Sequence, residues 1–113
     1  IDLYFACNDY WAYELAIALN AWCFERDGSF NATKARAMLR HYHQKRPLSL
    51  QEQQALPVLA RGAALRFLLS RMEDWFAHRR EETIVVPKDP REYWHKLRFA
   101  QTVERLGDWG VEL

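Results

Sequence analysis

The chain has 113 residues, half of them hydrophobic and five of them Trp, with 16 Lys/Arg against 15 Asp/Glu for a formal net charge of +1. That is one modest domain or a piece of a larger one, and its apolar content excludes a disordered tail. The charge balance argues against a binder of nucleic acid or another polyanion, which would carry a clear positive excess, and no apolar run approaches the ~20 residues that cross a bilayer.

In chain order, Ile1 to Phe5 reads as a short apolar strand end with Asp2 set inside it. Asn8 or Asp9 is a suitable cap for a following helix, in which Trp11, Leu15, Ala18, Leu19 and Trp22 recur at helical spacing as a core-facing stripe. Glu25-Arg26-Asp27-Gly28-Ser29 is turn chemistry, so that helix should end near Phe24. Asn31 caps a second helix, about Ala32 to Gln44, which Pro47 stops. Ser49 and Glu52 form a capping box that opens a short helix. Pro57 then fits the first turn of a long helix reaching about Arg79, with Leu65, Leu68, Leu69, Met72, Trp75 and Phe76 as its apolar stripe. Glu81 to Lys88 is a link containing a β-like run, Thr83 to Val86. Asp89-Pro90-Arg91-Glu92 supplies a cap, a first-turn proline and a boxed Glu for a last helix that Gly107 should end. Cys7 and Cys23 belong to no metal-type cluster and read as reduced thiols of a cytosolic protein.

The expected class is therefore mainly α, with four to five helices after a short strand remnant. An isolated strand is not stable alone, so Ile1 to Phe5 reads as an element whose pairing partner lies outside this chain, and the chain reads as a fragment.

Asp2 is the first candidate for chemistry. A carboxylate at an apolar strand end is costly to bury unless it is paired or bound to metal, and kinase-like phosphotransferases use such an Asp to hold Mg²⁺ against nucleotide phosphates. An ordinary Asp exposed at a frayed terminus is the competing account, and spacing alone favours it, since a lone Asp is a weak signal.

Ile1-Asp2-Leu3-Tyr4-Phe5-Ala6-Cys7-Asn8-Asp9 resembles the magnesium-binding segment of homoserine kinases in the aminoglycoside/choline-kinase-like superfamily. Trp11 to Ile17 resembles the helix that follows it there. Leu19 to Phe24, Gly28 to Asn31, Thr33 to Arg36, Leu56 to Phe67, Asp89-Pro90 and Lys96 to Phe99 are similar to that family too. The resemblance implies the helical C-terminal lobe of a protein-kinase-like fold, with Asp2 as the metal-binding Asp. It also implies ATP and Mg²⁺ as cosubstrates, and L-homoserine as acceptor in cytoplasmic threonine biosynthesis. The same resemblance implies a catalytic His-x-Asp-x-x-x-x-Asn loop and a nucleotide-binding lobe, and residues 1–113 contain neither. None of His41, His43, His78 and His95 is followed two residues later by Asp, and the four glycines are scattered. The expectation is a single helical lobe that carries no catalytic residue of its own and is inactive alone. Glu14 stands where relatives often have Asp.

Arg61 is the second candidate. Helical geometry projects it into the middle of the Leu65, Leu68 and Met72 stripe, where a guanidinium needs an anionic partner or water. The carboxylate of homoserine would suit its bidentate fork. Pairing with an acidic side chain or escape to solvent is the alternative. Asn8 and Asp9, with Trp11 and Tyr13, could line an acceptor pocket, although capping and packing explain them as well. Lys88, Arg91, His95, Lys96 and Arg98 read as a solvated helix face. Their acidic neighbours Asp89 and Glu92 argue against nucleic acid. A different acceptor in the same superfamily, such as an amino alcohol or aminoglycoside, is one rival. A non-catalytic helical interaction module, self-associating through an exposed lobe-facing surface, is the other.

Overall fold

The computed structural model describes residues 3–80 and 87–113. Four helices carry the fold: α1 (Leu3–Trp22), α2 (Ala32–Lys45), α3 (Leu50–Arg80) and α4 (Arg91–Ala100), followed by a 3₁₀ turn over Leu106–Trp109. No strand occurs among the described residues, and the mainly α class holds. The run Thr83 to Val86 lies outside them, as do Ile1 and Asp2.

The expected strand end is not formed at Leu3 to Phe5, which are the first residues of α1. Nothing between Leu3 and Trp22 breaks a helix, since the stretch holds no Pro and no Gly. A lone strand leaves its backbone groups without partners, whereas a helix satisfies them internally. Asn8 and Asp9 consequently lie within α1 and do not cap it.

α1 buries Ala12, Leu15, Ala16 and Leu19, with Cys23 just past its end. Of the expected stripe, Trp11 is 50% and Trp22 69% exposed. The reason lies across the interface. α1 packs chiefly on α3, whose Ala60, Ala63 and Ala64 are fully buried. Two alanine-lined faces bring helices close together, and an indole would hold them apart. Asn20 ties the pair, its side-chain amide donating to the Ala60 carbonyl at 3.0 Å. Burial pushes the Cys23 thiol up, as fits an inert core group.

The turn between α1 and α2 closes as its composition dictates. Gly28 has φ +90°, Asp27 Oδ1 accepts from the Ser29 amide at 2.9 Å, and Asn31 N–H donates to the Cys23 carbonyl at 2.7 Å. Asn31 caps α2 as expected, accepting from Lys34 N–H at 2.9 Å.

At the start of α3 the capping box forms in full: Ser49 N–H donates to Glu52 at 3.0 Å and Glu52 N–H to Ser49 Oγ at 3.1 Å. The two helices expected here are one, with Pro57 inside it. A proline in a helix interior costs about 3 kcal/mol, because it lacks an N–H and crowds the preceding turn. Burial of Leu56, Pro57 and Ala60 offsets that cost. Ser49→Ala should remove about 1 kcal/mol of stability, read as a lower denaturant midpoint at unchanged slope. The box also has a pH signature. Burial works to raise the Glu52 carboxyl, but the Ser49 N–H and the Arg46 guanidinium outweigh it and hold the group below its ordinary 4.5. A carboxyl held low in the folded state contributes stability above its unfolded value, and that contribution is lost as pH falls through the folded one. Glu52→Gln should accordingly lower stability near neutral pH, and that deficit should shrink in acid.

α4 packs on α3 and ends at Ala100, seven residues before the glycine expected to stop it. Thr102 Oγ1 bonds the Phe99 carbonyl at 2.6 Å, and Val103 turns into the core. The left-handed residue is Gly110 (φ +79°), where a Cβ would lie 3.5 Å from Ala32 Cβ. The 3₁₀ turn seats Trp109 and Val111 in the same core as Ala35, Leu39, Leu56 and Val103.

Candidate functional site

The sequence-derived candidates do not converge on one site among the described residues. Asp2 lies outside them. Asn8 and Asp9 occupy the first half of α1. Arg61 is half-buried on α3, and its Nη1 donates to the Val103 carbonyl at 2.9 Å. Its expected setting has changed: Leu65 and Met72 of the flanking stripe are exposed, and only Leu68 is buried. The contacting face of α3 is instead Leu56, Ala60, Ala63, Ala64 and Leu68, rotated away from the expected stripe. Arg61 therefore fastens the segment after α4 to α3 through a main-chain carbonyl. Tyr13 accepts a hydrogen bond from Arg66 at 3.2 Å.

Charge and burial concentrate elsewhere, where α4 crosses α3. Lys96 was expected on a solvated face, yet its side chain is only 8% exposed. Packing explains this. α4 turns Tyr93, Lys96 and Ala100 inward, and its polar residues Arg91, His95 and Arg98 point outward. The Lys96 ammonium sits 4.6 Å from the Tyr93 ring centre and 5.3 Å from that of Phe24. It reaches Glu92 at 3.1 Å. Arg71 of α3 meets the same carboxylate at 3.3 Å and lies over the Tyr93 ring at 4.4 Å. Phe67 stacks on the Tyr93 ring at 5.3 Å. The aromatic faces and the carboxylate together meet the needs of two cations drawn out of water.

Glu92 was expected to box the start of α4, but it is engaged here by Arg71 and Lys96. Burial works to raise its carboxyl; the Lys96 hydrogen bond and the charges of Lys96 and Arg71 outweigh this and hold it below the usual carboxylate range. Burial pushes the Tyr93 phenol up. Pro90, expected in the first turn, is itself the N-cap and makes no side-chain cap bond, while Asp89, expected as the cap, lies one residue earlier and accepts from Arg91 N–H at 2.9 Å. Its carboxylate is forked by the Arg91 guanidinium at 3.0 and 2.7 Å.

A cleft of about 630 Å³ opens over this cluster, between α1, α3 and α4, with Lys88 at its lining. The one sequence signal for it is the Glu92–Lys96 spacing of four, an ordinary surface pair on most helices. Arg71 arrives from another helix, 21 positions before Glu92 by residue number. No group of three or more His, Cys, Asp or Glu side chains suited to a metal occurs among the described residues.

Comparison with known proteins fits the helical architecture and the opening segment. The family model described as the phosphotransferase enzyme family (APH) matches residues 1–48. Over the whole chain the similarity is to homoserine kinases. That of Rhodopseudomonas palustris (strain TIE-1) is 60% identical over all 113 residues, which make up 34% of its length. That of Paramagnetospirillum magneticum is 60% identical over 112 residues, 99% of this chain and 34% of the relative. That of Bartonella henselae is 58% identical over 110 residues, 97% of this chain and again 34% of the relative. The chain is thus similar to homoserine kinases along its full extent, as the resemblance implied, and it spans about a third of the length of those it matches.

Proposed function

We propose that this chain forms the helical acceptor side of an ATP-dependent homoserine kinase. The enzyme would move the γ-phosphoryl group of ATP to the side-chain hydroxyl of L-homoserine, giving O-phospho-L-homoserine and ADP, as a cytoplasmic step toward threonine. The observation that carries the reading is 60% identity to a homoserine kinase over all 113 residues. The 34% share of that relative's length supports assigning the nucleotide-binding lobe and catalytic loop to sequence outside this chain. Among the described residues no helix is long and apolar enough to cross a membrane.

Asp2 is assigned the Mg²⁺-binding role on sequence similarity, and the metal would supply charge neutralisation at the phosphates. The chain's own contribution is rigidity and positioning, on which phosphoryl transfer mainly depends. Asn8, Asp9 and Arg61 are assigned to the acceptor side, with Arg61 offering guanidinium donors beyond the one given to Val103. In isolation the chain would self-associate through its exposed apolar surface, for which Leu65, Leu69, Met72 and Phe76 of α3 are available.

The longer polypeptide, assayed with ATP and Mg²⁺, should phosphorylate homoserine in preference to an amino alcohol or an aminoglycoside, and residues 1–113 alone should give no product above background. Faster turnover of either other acceptor would replace homoserine in this reading. Arg61→Ala in the longer polypeptide should raise KM for homoserine well above its effect on KM for ATP. An unchanged homoserine KM with lowered stability would leave Arg61 only its bond to Val103.

A further inference from the structure

We propose that the cleft between α3 and α4 lined by Arg71, Lys88 and Lys96 binds a small oxyanion, a phosphate or a carboxylate. The first observation is a charge imbalance. Five charged side chains line the cleft: Arg71, Lys88 and Lys96 against Asp89 and Glu92. Asp89 is already neutralised by the two-pronged Arg91 contact at 2.7 and 3.0 Å. Among the described residues Glu92 is left to serve both Arg71, at 3.3 Å, and Lys96, at 3.1 Å. Lys88 makes no ion pair or side-chain hydrogen bond with the described residues. Among the described residues, three cations thus face one carboxylate that is itself half exposed.

The second observation is that two of these cations are fixed and largely dry. The side chains of Arg71 and Lys96 are 16% and 8% exposed, and both are seated on the face of Tyr93, 4.4 and 4.6 Å from its centre. Bringing two like charges to one ring in a protein interior is unfavourable unless further negative charge compensates them. The third observation is space. The cleft of about 630 Å³ reaches both side chains, so an incoming anion need not displace Glu92. An oxyanion there would take charge-assisted hydrogen bonds from the Arg71 guanidinium and the Lys96 ammonium, with Lys88 closing the rim. Aromatic seats hold both donors in place before the anion arrives, which reduces the ordering cost of binding. This geometry carries the inference, and only the filling of the nucleotide site in its test draws on the kinase reading.

The test is calorimetric titration of the full-length polypeptide, its nucleotide site filled with a non-hydrolysable ATP analogue and Mg²⁺. Inorganic phosphate, O-phosphohomoserine and homoserine would be the probes, at constant ionic strength. Phosphate should bind saturably, and Arg71→Met and Lys96→Met should each weaken it at least about tenfold, the scale of one lost charge-assisted bond. Arg98→Met, on the outer face of α4, should leave binding unchanged. Should either buried-cation variant fail to fold, Lys88→Met at the exposed rim should weaken binding about threefold. Homoserine binding that is tighter than that of phosphate and is weakened by Lys96→Met would identify the ligand group as a carboxylate, and tighter phosphate binding with the same loss would identify it as a phosphate. Absence of saturable binding by all three probes, or equal affinity in wild type, Lys88→Met and Lys96→Met, would overturn the proposal.

Discussion

Asp2→Asn in the longer polypeptide should cut kcat for homoserine phosphorylation by at least about a hundredfold while the helical content stays unchanged. A metal ion at transferring phosphoryl oxygens is worth several kcal/mol of transition-state stabilisation, and every 1.36 kcal/mol is about tenfold in rate. The amide is nearly isosteric with the carboxylate but carries no charge, so the loss would report the ligand charge rather than packing. A second signature separates a metal ligand from a structural Asp. The variant should need a higher Mg²⁺ concentration for half-maximal rate, whereas a destabilised fold would not shift that requirement. Activity within a few-fold of wild type, at an unshifted Mg²⁺ requirement, would remove Asp2 from the site. The motif that carries the kinase resemblance would then lose its chemical meaning.

Trp109→Ala should cost about 3–5 kcal/mol of stability, the range for truncating a buried aromatic. Trp109 is 3% exposed and shares the main core with Ala35, Leu39, Val103 and Val111. The tail around it is pinned at several points. Arg36 Nε donates to the Gly110 carbonyl at 3.1 Å, Val111 N–H donates to the Leu106 carbonyl at 3.1 Å, and Asp108 accepts from the Glu104 amide at 2.9 Å. The Glu104 and Arg105 amides hold the Asp108 carboxyl below the usual carboxylate range. Removing the indole would leave these polar contacts around an empty core position. Trp22→Ala is the matched control. At 69% exposure it should change stability by no more than about 0.5 kcal/mol. Denaturant unfolding of the two variants side by side checks both values. Equal effects would mean that burial has been assigned to the wrong tryptophan.

The contrast between these tryptophans shows where sequence reasoning stopped. In α1 the expected stripe Trp11, Leu15, Ala18, Leu19, Trp22 and the buried set Ala12, Leu15, Ala16, Leu19 share Leu15 and Leu19 and differ in the rest. The expected one carries the larger apolar side chains, and a periodicity argument prefers it. The choice is made by α3, whose alanine face admits a close approach and rejects indoles. The same rotation decided α3, where Leu65, Leu69, Met72 and Phe76 are exposed while Ala60, Ala63 and Ala64 are buried. Apolar volume was a poor guide because the contact selects small residues.

The local signals fared better because their partners are near in sequence. The Asn31 cap, the Ser49–Glu52 box and the Gly28 turn are each complete within a few residues, and each formed as its chemistry requires. Pro57 was misjudged as a boundary, because its cost is local and its compensation, the burial around Leu56 and Ala60, is not.

By itself the sequence determined that the chain is mainly α, where most helices begin, and which family it resembles, since caps, turns and motif identity are written in contiguous residues. Tertiary structure alone decided which face of each helix is buried, that Arg61 meets a main-chain carbonyl, and that Arg71, Glu92 and Lys96 share one cleft. Those outcomes depend on the fit between helices and on charges brought together from distant positions, and no contiguous stretch of the chain encodes either.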